Sequence, residues 1–150
     1  VAIDVLNETT TQVDETEFMA LGRFVLDAMG VHPQADLVIS LIDAKAMAEL
    51  HQRFLNEEGP TDVLSFPMDE LRPGSGEQSG QPGVLGDVVV CPEVAARQAQ
   101  ELGHSATEEM LVLTVHGILH LLGFDHAEGG QHDAMFALQR KLLLAFLASR

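Results

Sequence analysis

Two hydrophobic periods alternate along the chain. Residues 2–6, AIDVL, alternate weakly and read as a short strand. From Asp14 to Met29, the residues Phe18, Leu21, Val25 and Met29 recur at helical spacing, with Gly30 as the stop. The run ADLVISLID, 35–43, is β-rich and long enough for a buried strand. Asp43 then caps a helix carrying Ala46, Met47, Leu50 and Phe54 on one side. TDVLSF, 61–66, is a strand bracketed by Pro60 and Pro67, and residues 69–83, DELRPGSGEQSGQPG, have the composition of a mobile surface loop. VLGDVVV, 84–90, resumes as a strand, and Pro92 opens a helix that runs to Gly103. Ser105 with Glu108 forms a capping box for a helix continuing to Leu122 and stopped by Gly123. A last amphipathic helix, about 130–148, carries Met135, Phe136, Leu138, Leu142, Leu143 and Phe146. Strands and helices mix in the first two-thirds and the end is all helix. That order predicts one α+β domain, residues 1–150, with a small sheet covered by helices.

Composition agrees: 46% of the 150 residues are hydrophobic, a globular value. The single cysteine, Cys91, excludes an internal disulfide, fits a reducing cytosol, and follows a valine-rich run as a small core residue would. The pattern of a secretory signal is absent, and no apolar run approaches the ~20 residues of a membrane span, so the expected location is cytoplasmic with no membrane partner. Charge points elsewhere. With 23 acidic and 8 basic residues the net charge is −15, which repels polyanions and, taken alone, argues against a nucleic-acid substrate.

The chemistry concentrates in HGILHLLGFDH, 116–126. His116 and His120 are four apart and share one helix face. Gly123 breaks the helix and lets the chain turn, so that His126 returns to the same point. Two imidazoles from a helix and one from the following turn describe three ligands of a tetrahedral metal site with an open fourth position. The surrounding MLVLTVHGILHLL is apolar on nearly all sides, and buried histidines without partners there would be costly. Neutral imidazole ligands favour one Zn2+ per chain, although copper or nickel would also bind in vitro. His32 and His132 lack such support and read as surface residues. His104 reads as a helix-end residue or a cleft residue.

The spacing of His116, His120, Gly123 and His126 matches the metzincin peptidase pattern HExxHxxGxxH, but Gly117 stands where those enzymes carry the general-base glutamate. A glycine cannot take a proton. Asp125, beside His126, either replaces that base or orients a ligand histidine, and Glu128 is also close in sequence.

At this point the chain resembles a family. HGILHLLGFDH matches the HGxLHLxGxDH pattern of the YbeY endoribonucleases of bacteria. PTDVLSFP (60–67), LGDVVVCPEVAARQA (85–99) and GHS (103–105) resemble further segments of that family in the same order. The resemblance covers nearly the whole chain. It implies a mixed sheet of about four strands, five or six helices, and a zinc-like ion on His116, His120 and His126. It also implies single-strand-specific cleavage in 16S rRNA 3′-end maturation and ribosome quality control, with small-subunit proteins and an Era-type GTPase as partners. Many members carry an aromatic-arginine pair before the PTDVLSFP-like motif. Here Phe54 holds the aromatic place but Leu55 the arginine place, and the nearest arginine is Arg53, the candidate phosphate contact. Two residues on a helix turn a side chain by about 200°, so Arg53 serves only if the helix end is irregular. The competing readings are an assembly factor with a structural metal, and a metallopeptidase. Asp62 reads as an Asx turn. If 61–66 is an edge strand beside the metal, Ser65 and Phe66 border the cleft and Phe66 either stacks on a base or packs in the core.

Overall fold

The computed structural model describes residues 3–31, 35–68, 83–124 and 129–150. Their elements run β1 (Ile3–Asn7), α1 (Glu15–Ala28), β2 (Asp36–Leu41), α2 (Ala44–Leu55), β3 (Val63–Pro67), β4 (Val84–Val90), α3 (Pro92–Leu102), α4 (Ala106–Leu121) and α5 (Gly129–Ser149). The sheet order is β1-β2-β4-β3. β1 runs parallel to β2 and β2 parallel to β4, while β3 runs antiparallel to β4. The mixed sheet and five helices agree with the expected α+β architecture. β3 lies at one edge, which meets the condition under which Ser65 and Phe66 would border the cleft.

Local chemistry sets the boundaries. Asp14 accepts from the Glu17 N–H at 3.3 Å, Asp43 from Ala46 at 2.8 Å and Ser105 from Glu108 at 3.1 Å, each satisfying a free donor at a helix start. β2 is shorter than the apolar run that marked it, because Asp43 is already the cap of α2. The stretch 69–82 lies outside the described residues.

The larger core joins Leu37, Ile39, Leu41, Val88 and Val90 of the sheet to Phe18 and Leu21 of α1, Leu111, Val115 and Ile118 of α4, and Met135 and Phe146 of α5. A smaller cluster packs Met47 of α2 against Val89, Cys91 and Val94. Ten of the sixteen residues of α4 are buried, so this helix is the centre of the packing.

Gly117 is what lets α4 sit so close to the sheet. A Cβ on it would lie 2.5 Å from Val88 Cγ1 and 3.2 Å from Ser65 Oγ. The Ser65 hydroxyl donates to the Gly117 carbonyl at 2.9 Å, fixing β3 to the helix. Position 117 therefore faces the sheet. The place taken by the peptidase glutamate in the metzincin pattern is here the contact between helix and strand.

Candidate metal centre

Successive positions on one face of α4 (Glu109, Val112, Leu113, His116 and His120) open onto a single cleft of about 1080 Å³. Within it the Nε2 atoms of His116 and His120 approach to 3.0 Å. The Nδ1–H of His116 donates to Gln139 Oε1 on α5 at 2.8 Å. An amide oxygen only accepts, so this bond places the proton on Nδ1 and leaves Nε2 with its lone pair toward His120. Two metal–nitrogen bonds of 2.0–2.1 Å at a tetrahedral angle put their nitrogens roughly 3.3 Å apart, close to the separation seen. The pair thus suits two corners of a zinc-type site. His126, Asp125 and Glu128 lie outside the described residues. Among the described residues no group of three or more metal-ligating side chains occurs.

The opposite wall is built by β3 and the end of α2. Ser65 and Phe66 both line the cleft, as expected of an edge strand beside the histidines. Phe66 meets Phe54 edge to face at 5.1 Å between ring centres, and Phe54 is 55% exposed. Phe66 packs against the smaller core, the second of the two roles expected for it, and also lines the cleft. On the α5 side, the Phe136 ring lies 5.6 Å from that of His116, and Gln139 and Arg140 follow on the same helix.

Among the described residues three carboxylates line the cleft, and each is engaged internally. Glu57 meets His51 Nε2 at 2.7 Å, and Glu109 meets His104 Nε2 at 2.7 Å. Asp62 accepts from its neighbour Val63 N–H at 2.7 Å and from Gln98 Nε2 at 3.2 Å. That pattern differs from the Asx turn expected: Asp62 ties the start of β3 to α3 instead. Glu109 is buried yet sits two helical turns, about 10 Å, from His116 along the α4 axis. His104, for which helix-end and cleft readings were both open, lines the cleft.

Arg53 is exposed on α2 and is not among the cleft-lining residues, whereas Leu55 is. α2 remains regular through Leu55 and closes on a left-handed Asn56, φ 55°. Among the described residues the lysine or arginine that does line the cleft is Arg140. Arg140, Gln139, Glu109 and His51 carried no flag in the sequence. The clearest retrospective signal belongs to Gln139, a polar residue inside the helical stripe Met135, Leu138, Leu142, Phe146. Cys91 is fully buried, and burial raises its thiol pKa, as a core residue rather than a nucleophile requires. Among the described residues no helix is long and apolar enough to cross a membrane.

Comparison with known proteins fits this geometry. The family described as "Endoribonuclease YbeY" matches residues 4–147. A protein of that name from Beutenbergia cavernae is 64% identical over 147 residues, 98% of this chain and 98% of its own. Its namesake from Thermobifida fusca is 55% identical over 148 residues, 99% of this chain and 96% of its own. The solution structure of a Thermotoga maritima protein superposes with a TM-score of 0.66 at 25% identity, covering 98% of this chain and 90% of that one. With a matching sequence pattern, fold and full-length relatives, the chain belongs to the YbeY family of endoribonucleases.

Proposed function

We propose that the cleft hydrolyses single-stranded RNA with one Zn2+ held by His116, His120 and His126, and that its cellular work is 3′-end maturation of small-subunit rRNA. The observation that carries the metal reading is the 3.0 Å convergence of two imidazole Nε2 atoms, one of them oriented from behind by Gln139. When bound, such an ion supplies Lewis acidity, polarising a phosphoryl oxygen and acidifying a water. The chain does the rest. α4 holds His116 and His120 rigidly on a buried helix. β3 and α2 offer an apolar, partly aromatic wall for an unpaired base, since base–aromatic stacking tolerates any sequence. A double helix presents no free base face to such a wall, which favours single strands.

The net charge of −15 limits what general phosphate attraction contributes. Recruitment by a protein partner, a small-subunit protein or an Era-type GTPase, answers that limit through effective concentration. This substrate places the activity in the cytoplasm.

The test is cleavage of a labelled single-stranded RNA with chelator and metal add-back. Chelation should abolish cleavage, Zn2+ should restore it, and His120→Ala should remain inactive while keeping a native far-UV spectrum. Undiminished cleavage by His120→Ala would refute the metal role. Gly117 facing the sheet weighs against peptidase chemistry, and the same preparations incubated with casein should leave it intact.

A further inference from the structure

The cleft of this acidic protein contains one lysine or arginine among the described residues, Arg140. It lies one helical turn beyond Phe136, whose ring packs on His116, and next to Gln139, which holds His116. Arg140 therefore enters the cleft from the same stretch of α5 that meets His116. Arg140 makes no ion pair or hydrogen bond with a described residue, although 23 acidic residues are available in the chain. The three described carboxylates of the cleft are occupied by His51, His104, Val63 and Gln98. Among the described residues of the cleft the acids are thus tied back into the protein, and the arginine is left open. A planar fork of donors with no internal acceptor is suited to a bidentate phosphate contact.

We propose that Arg140 is the phosphate-contacting residue of the RNA cleft. It holds one phosphate beside the histidine pair while bases lie against the Phe54 wall, and Arg53 takes no part. The inference rests on the RNA reading of the cleft and adds the residue that grips the backbone.

A single phosphate contact has a measurable mark, because the salt slope of single-strand binding is about −0.7 per contact. Binding of a fluorescent single-stranded 2′-O-methyl oligonucleotide is measured by anisotropy between 50 and 200 mM salt, with the strand checked for integrity on a denaturing gel. The wild type should lose about two- to threefold in affinity across that range. Arg140→Ala should bind about tenfold more weakly at the lower salt and become nearly independent of salt. Arg140→Lys should retain the slope while losing part of the affinity, since it keeps the charge without the fork. Arg53→Ala should match the wild type. Arg140 is exposed, so its variants should fold, and far-UV spectra check this. The proposal is overturned if Arg140→Ala keeps wild-type affinity and slope, if Arg53→Ala shows the loss instead, or if the wild type shows no binding at 50 mM salt. A wild type that binds with the expected slope but never cleaves RNA in a metal-dependent way would sink the hydrolytic reading and leave Arg140 as a strand contact.

Discussion

Gln139 and His116 are tied across the α4–α5 contact, amide oxygen to Nδ1–H at 2.8 Å, with Gln139 buried at 8% exposure. The bond fixes both the tautomer and the orientation of the imidazole. Gln139→Leu keeps the volume and removes the acceptor. It should lower Zn2+ affinity about 10–100-fold, measured by competition with a chromophoric chelator. An unchanged affinity would show that packing alone orients His116.

The contact of Gly117 with Val88 makes a prediction about stability. Gly117→Ala gains up to about 1 kcal/mol in helix propensity. Against this, its methyl would sit 2.5 Å from a β-branched side chain on the sheet, and overpacking of this kind costs roughly 1–3 kcal/mol. The net should be destabilising by up to about 2 kcal/mol in urea unfolding. Combining it with Val88→Ala should recover part of the loss, because the second change opens the space the methyl needs. A purely additive double variant would mean that the clash relaxes elsewhere.

Phe54 is half exposed, and its ring borders the cleft. Phe54→Ala should weaken single-strand binding by about 1–3 kcal/mol with no change of salt slope, in contrast to Arg140→Ala. Titration of the same oligonucleotide reads both variants. Equal binding by Phe54→Ala and the wild type would remove the stacking wall from the account.

Burial drives the Cys91 thiol above its ordinary value near 9.0. The folded state then holds the proton more tightly than the unfolded state. The associated stability is present below about pH 9 and is lost as pH rises through the folded value. Cys91 should react slowly with a thiol reagent in native buffer and rapidly in denaturant, while Cys91→Ser should reduce the stability loss above about pH 9. Rapid labelling of the native protein would contradict the burial.

Much of this was legible before any coordinates, for physical reasons. Caps at Asp14, Asp43 and Ser105 are local bonds written in three or four residues, so helix starts could be read directly. The His116–His120 pair was visible because helical period alone puts both on one face. Gly117 was visible as an anomaly, but its cause was not: it depends on Val88 and Ser65, which come from strands 29 and 52 residues away. The cleft cation was missed for a similar reason. Arg53 is near Leu55 in sequence, while Arg140 shares the cleft with Leu55 from a different helix, α5. Spacing along one helix can be read from sequence; which helices line one cleft is a property of packing.

His116 and His120 ride on the most buried helix among the described residues, and this ties their spacing to the stability of the domain. Segments of this kind open only when the whole domain opens, so the pair stays preorganised for an ion until global unfolding. With the proposed metal bound, mass action would couple occupancy to melting: free Zn2+ at a thousand times its dissociation constant would add about 4 kcal/mol to the folded state. The thermal midpoint becomes a gauge of metal loading, and a chain kept loaded should outlast a stripped one against proteolysis.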